Sequence, residues 1–128
     1  MKPFAIYHEH PDWFKPLFAE LEKRGIPYER INPAQHHFDI TDTHNTYSLF
    51  FNRMSPSAYL RDGGQGIFFT LSYLNHLELF GTKTINGYKA FSYEVSKAAQ
   101  LSLLKKLGLG YPRTVVINHT SQLLRAVQ

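Results

Sequence analysis

The chain has no cysteine in its 128 residues. Disulfide staples, thiolate nucleophiles and cysteine-based metal sites are excluded, so the fold must rest on its core. No apolar run is long enough to cross a bilayer. The opening MKPFAIYHEH has no signal-peptide pattern, so a cytoplasmic protein without membrane contact is expected. Basic runs are missing too. The formal net charge is +4, but the lysines and arginines are scattered, so nucleic acid is not an expected partner. A small anionic ligand such as a nucleotide stays open.

Several catalytic signatures are also absent. No Gly-Lys-Ser/Thr follows the glycines of RDGGQG, and their spacing is not that of a dinucleotide loop. Ser55 and Ser57 lie in no Gly-x-Ser-x-Gly elbow. The histidines are frequent, but none stand at His-x3-His on a predicted helix, and a histidine metal site is not expected. His8 and His10 would share a face only if a strand reached them.

What is present is a globular composition, 43% hydrophobic, with no repeat and no low-complexity run. FAIYH reads as a buried strand. A helix follows, with Asp12 as its N-cap, Pro16 in its first turn and Gly25 as its stop. PYERIN reads as a second strand. The polar stretch PAQHHFDITDTHNT reads as a loop with a short extended piece near Asp39–Thr41. YSLFFNR is a strand apolar on both faces at its centre, as in a parallel sheet covered on both sides. IFFTLSYLNHLELFG is a helix apolar on nearly every side, which requires more than one neighbour. The sheet would cover one side and a second subunit the other. TKTING is a fourth strand. A helix from Val95 to Leu107, a strand RTVVINH and the start of a helix in TSQLLRAVQ complete the chain. The alternation predicts a small, mainly parallel α/β sheet with helices on both faces.

In open α/β sheets, ligands bind beyond the carboxyl ends of the strands. Three polar segments fall there: His8, Glu9, His10 and Trp13 after the first strand; Asn52, Arg53, Ser55, Ser57 and Arg61 after the third; Asn86 and Gly87 after the fourth. RDGGQG, ahead of a helix, could cradle an anion or be an ordinary loop. Arg53 and Arg61 could each grip a carboxylate or phosphate bidentately or serve in a structural ion pair, and for Arg61 the ion pair is the expected case.

Lys97 breaks two local rules. On a 3.6-residue wheel it falls among Leu101 and Leu104, with Gln100 beside it. It also stands in a first turn, where a cation faces the positive end of the helix dipole. A lysine stem can pack among leucines while its ammonium reaches an anion or solvent.

The segments NRMSPS, YLNHLELFGTKTING and SKAAQLSLLKKLGLGYPRTVVI resemble the front half of an ATP-grasp ligase. The likeness is to glutathione synthetase and the RimK-type glutamate ligases, and more loosely to D-alanine–D-alanine ligase. It rests on Asn52-Arg53, Pro56, Asn86, Ser96-Lys97, Leu103-Leu104, Gly108-Leu109, Pro112 and Thr114, and covers residues 48–119. Residues 1–47 match only in their β-α-β plan. Ser96 departs from the pattern, where the family often carries an acid.

The resemblance implies a Rossmann-like pre-ATP-grasp domain over residues 1–90 and the truncated beginning of an ATP-grasp domain over 91–128. It implies that Lys97 contacts the phosphates of ATP, and that Asn52, Arg53, Ser55, Arg61 and Asn86 belong to the substrate site. In such enzymes ATP phosphorylates a carboxylate and an amine attacks the acyl phosphate. The substrates are a small acid and amine or a peptide acceptor, and the enzyme would be a homodimer. The second lysine, the glycine-rich lid and the Mg2+ ligands of the family lie downstream of Gln128, so ATP and Mg2+ belong to the full-length protein. The fragment alone should not turn over. The alternative is a non-catalytic α/β module that binds a small anion or mediates dimerisation.

Overall fold

The computed structural model describes residues 2–61 and 65–127. Four strands, β1 (Phe4–Tyr7), β2 (Tyr28–Ile31), β3 (Leu49–Asn52) and β4 (Thr84–Ile85), form one sheet in the order β2-β1-β3-β4. Every pairing is parallel, which sharpens the expected mainly parallel sheet. The helices are α1 (Lys15–Lys23), α2 (Gly66–Leu79), α3 (Tyr88–Glu94), α4 (Lys97–Lys106) and α5 (Leu123–Ala126). The chain divides into two compact units, residues 1–95 and 96–128. None of the helices described is long and apolar enough to cross a membrane.

In the first unit, the two-residue period of the strands sorts side chains between two helical layers. Ile6 turns toward α1, where Phe14, Phe18 and Leu21 close over it with Phe4, Tyr28 and Phe51 at the margin. Ala5, Tyr7 and Phe50 turn the other way, onto Tyr73, Leu74 and Leu77 of α2 and Phe91 of α3. Phe50, Leu74 and Phe91 are fully buried, and each contributes about 1.5–3 kcal/mol. The sheet is thus covered on both faces, as the apolar centre of SLFF requires.

α2 buries Thr70, Tyr73, Leu74 and Leu77 against the sheet. Its outer side leaves Phe68 69% and Leu79 71% exposed. Gly81 ends the helix in the left-handed region at φ 77°.

Four local expectations need correction. Asp12 is not the N-cap of α1. Phe14 holds that position without a side-chain bond, and the Asp12 carboxylate pairs with Lys15 at 2.6 Å instead. Asp39–Thr41 is a turn, not extended: Asp39 Oδ1 accepts from the Thr41 amide at 2.8 Å and its hydroxyl at 2.7 Å. The predicted helix over 95–107 begins at Lys97, because Ser96 is extended and caps it, its Oγ accepting from the Ala99 amide at 3.2 Å. The residues before Ser96 form a separate helix, α3.

The fourth correction concerns RTVVINH. It is not a strand. A strand requires a neighbour to complete its backbone hydrogen bonds, and all four described strands lie in the first unit. In the second unit α4 closes at Gly108, φ 70°, and the chain runs irregularly to Asn118. His119 then caps a short turn through a reciprocal pair with Gln122, and α5 follows.

Candidate functional site

The carboxyl ends of β1, β2 and β3 open onto a cleft of about 650 Å³. Each strand hands over a loop residue: Glu9 lies just past β1, Asn32 just past β2 and Met54 just past β3. Pro33, Ala34 and His36 form one side, and Gln65, Gly66 and Phe69 of the α2 entry form another. Arg61 projects into the same space. The cleft lies where the topology places it, since the chain passes from β1 to β2 on one flank of β1 and then crosses to β3 on its other flank.

Arg61 is the centre of a polar network. Its Nε and Nη2 donate to the two carboxylate oxygens of Glu9 at 3.1 and 2.6 Å, a bidentate pair joining loops 52 residues apart. Nη1 and Nη2 also donate to Ser57 Oγ at 3.3 Å. Ser57 Oγ lies 2.8 Å from Ser55 Oγ, and the Ser57 amide donates to that Ser55 oxygen. The guanidinium carbon lies 5.6 Å from the Trp13 ring, which stacks on His10 at 3.9 Å. The hydrogen bond to Glu9 raises the Arg61 pKa further. Ser55 and Arg61, expected together, are indeed brought into one network.

Arg53 is elsewhere. Its amide donates to the Tyr7 carbonyl at 2.8 Å, while its guanidinium lies over Phe14 at 5.1 Å and Phe51 at 5.6 Å, on the α1 side of the sheet. Asn52 and Asn86 form a third group. Asn52 is 1% exposed; its Nδ2 donates to the Asn86 carbonyl, and its Oδ1 accepts from the Met54 amide. They fasten β3 to β4 beneath the loops. Of RDGGQG, Asp62, Gly63 and Gly64 lie outside the described residues, so the expected anion cradle is not described.

His8 and His10 do not share a face. β1 ends at Tyr7, and the His8 ring turns in between Phe14 and Phe18. Burial, first of all, lowers its pKa. His8 Nδ1 donates to the His10 carbonyl at 3.0 Å and Nε2 accepts from Arg30 Nε at 3.4 Å, which suits a neutral ring. Burial pushes the Tyr7 phenol up to about 12 and raises Tyr73 as well, so neither is a neutral-pH acid.

In the second unit, Lys97 opens α4 as an exposed first-turn residue. Its Nζ donates to Gln100 Oε1 at 3.2 Å, the neighbour read from the helical wheel. No three histidine, aspartate or glutamate side chains among the described residues are grouped so as to hold a metal ion.

No family model matches the chain, and no curated protein sequence matches it. A solved structure does: the ATP-grasp ligase PsnB complexed with minimal precursor. The two superpose with a TM-score of 0.61 at 16% identity, over 98% of this chain and 49% of that one. The fold is therefore that of the corresponding part of an ATP-grasp ligase. The chain spans about half the length of that protein.

Sequence reasoning named Arg61 but not its partner. Glu9 was visible only as one of several polar residues after β1. The contributions of Asn32, His36 and Phe69 to the cleft were not read at all. No spacing rule links positions 9, 32 and 61; only the strand order β2-β1-β3 brings them together.

Proposed function

We propose that this chain is the amino-terminal part of an ATP-dependent carboxylate–amine ligase. Residues 1–95 would serve as its pre-ATP-grasp domain and residues 96–128 as the start of its ATP-grasp domain. The observation that carries this reading is the superposition on an ATP-grasp ligase over 98% of this chain with a TM-score of 0.61. The place of Lys97 at the start of α4 also supports it. Ser96 caps the helix, and Lys97 stands exposed at its first position, where its Nζ donates to Gln100 Oε1.

In this reading the cleft at the strand ends forms one wall of the substrate site. Arg61, with Ser55 and Ser57 behind it, faces the ligand, and Arg53 flanks the α1 side. Asn52 and Asn86 hold the loops that carry them. Lys97 would meet the phosphates, where a cation stabilises the charge that develops in transfer. ATP, when bound, supplies the activation of the carboxylate. In this reading, as the resemblance implies, the magnesium ligands belong to the rest of the enzyme. The resemblance to glutathione synthetase and RimK-type ligases directs the first substrates to be tried: amino-acid or peptide acceptors, with a homodimer as the working assembly.

The test is ADP and phosphate release by the full-length parent over a panel of carboxylates with amine, amino-acid and peptide acceptors. Acceptor-dependent release that falls in a Lys97→Ala variant supports the ligase. Full-length protein that consumes no ATP with any acceptor overturns it.

A further inference from the structure

Arg61 is positioned by more than Glu9. Trp13 backs its plane, and Ser57 Oγ accepts from Nη1 and Nη2. If the Glu9 carboxylate swung away, the guanidinium would keep these two supports and present its Nε and Nη2 donors as a free fork. Among the described residues, the Glu9 side chain is held by hydrogen bonds from Arg61, at the lip of an open cleft of about 650 Å³. The remaining walls suit an organic acid rather than a bare ion: Asn32 and Gln65 offer amides, and Met54, Pro33 and Phe69 offer apolar contact. Of the pair, Glu9 is the more enclosed, with a side-chain exposure of 13% against 33% for Arg61, so the guanidinium remains reachable from solvent.

We propose that this cleft is a carboxylate-binding site in which Glu9 occupies the anion position, and that an acidic ligand enters by displacing Glu9 from Arg61. The ligand class is a carboxylate borne on a short polar-apolar stem, such as an acidic amino acid or an acidic side chain of a peptide. Glu9 then acts as a built-in competitor. It keeps the fork satisfied in the empty protein and sets a threshold that weakly complementary anions do not pass. The inference rests on the reading of the cleft as a substrate wall, which it deepens by naming the ligand chemistry.

Trp13 is the chain's single tryptophan, so its fluorescence reports on this site. The experiment titrates the 128-residue chain with N-acetylglutamate at constant ionic strength, with N-acetylglutamine as the uncharged control. Glu9→Gln, which removes the competing charge at nearly constant shape, should bind N-acetylglutamate about tenfold more tightly than the native chain. The control should bind neither protein. Arg61→Ala should abolish the response, and Arg61→Lys, which keeps the charge without the fork, should restore it only in part. Circular dichroism verifies that each variant is folded. Equal affinity of the native chain and Glu9→Gln overturns the displacement, and absence of binding to both overturns the site. ATP takes no part in this assay. A parent enzyme that consumes no ATP while the chain binds the acid removes the ligase reading alone; an active parent whose cleft ignores the acid removes this inference alone.

Discussion

Asn52 and Asn86 exchange hydrogen bonds across the carboxyl ends of β3 and β4. Asn52 Nδ2 donates to the Asn86 carbonyl at 2.9 Å, and Asn86 Nδ2 donates to the Asn52 carbonyl at 3.2 Å. Asn86 reaches this position only with φ 54°, in the left-handed region that asparagine tolerates better than most residues. β4 has just two residues, so this exchange does much of the fastening that a longer ladder would do.

Asn52→Ala should therefore destabilise the chain by about 2–3 kcal/mol, because it strands the buried Met54 amide as well as the Asn86 carbonyl. Asn86→Gly should cost only about 1 kcal/mol, since glycine keeps the backbone conformation and loses one bond. Asn86→Val should cost about 1–3 kcal/mol more than glycine. Urea midpoints for the three variants check the order. Asn86→Val as stable as Asn86→Gly would show that the positive φ carries no strain.

A second fastening joins the same region to α2. Glu78 Oε1 accepts from the Thr84 hydroxyl at 2.8 Å and from the Tyr88 amide at 2.9 Å, so an α2 carboxylate caps the first turn of α3. Gly87 leaves room for it: a Cβ there would stand 1.9 Å from that oxygen and 2.4 Å from Thr84 Oγ1. Gly87→Ala should cost about 1–3 kcal/mol by expelling the carboxylate. In a Glu78→Ala background the alanine should cost much less. Additive losses in this double-mutant cycle would show that Gly87 and Glu78 are not coupled.

His36 makes stability depend on pH. Its ring packs on Tyr73 at 4.4 Å and stands edge-on to Tyr7 and Phe69, and its Nδ1 has no hydrogen-bond partner among the described residues. Burial lowers its pKa, with His37 adding to the effect. Below the ordinary value of 6.5 the unfolded chain therefore binds a proton that the folded chain resists. The His36 contribution is present above about pH 6.5 and is lost as pH falls through the lowered folded value. His36→Phe keeps a ring in the cage and removes this titration. Denaturation between pH 7.5 and 5 should show a shallower loss in the variant. His8 shifts in the same direction, so part of the slope should remain. An unchanged slope would mean that His36 is not the titrating group.

The legible parts of this fold were those set by one local pattern. FAIYH and SLFF announced buried parallel strands because apolar residues occupy both faces, and Gly25 and Gly81 marked helix ends because both positions take positive φ. Arg61 was legible as one half of a structural ion pair from its chemistry, though its partner was not, and Gln100 as the neighbour of Lys97 from helical spacing. The rest depended on distant partners. Asp12 resembled an N-cap, but Lys15 took its carboxylate and the helix started later. Ser96 was read as a departure from a family pattern, and it proves to be the cap that splits the expected long helix. Glu9 was one of several polar residues after β1 until strand order set it opposite Arg61. TVVI has strand composition, yet composition supplies no ladder.

Lys97 should be separable from folding. It is exposed at the first position of α4, so Lys97→Ala removes no packed group. Thermal unfolding of the chain should be unchanged or raised slightly, by a few tenths of a kcal/mol, because a cation at the amino end opposes the helix dipole. Lys97→Glu should raise it further at low salt and lose the gain at high salt. Nucleotide affinity of the full-length parent should fall in both variants. A parent variant that binds ATP as tightly as the native enzyme would remove Lys97 from the phosphate site.

Hydrogen exchange should separate two segments that look alike in sequence. Phe4–Tyr7 and Val115–Ile117 are both short, apolar and rich in β-forming residues. β1 lies between β2 and β3, so its amides are held in ladders on both sides. Val115, Val116 and Ile117 belong to no sheet and are 53%, 69% and 38% exposed. Amides outside a ladder exchange by local opening, at little cost in free energy, whereas central-strand amides wait for opening of the core. The Val115–Ile117 amides should therefore exchange orders of magnitude faster than those of Phe4–Tyr7 in dilute chain. An apolar segment with free backbone groups also invites pairing with a second copy. Protection at Val115–Ile117 that rises with protein concentration, alongside dimer in sedimentation, would identify that exchange. Slow exchange in a strictly monomeric chain would contradict the prediction outright: it would mean that the segment finds a strand partner within its own chain, and that residues 96–128 form a self-sufficient module rather than the start of a larger sheet.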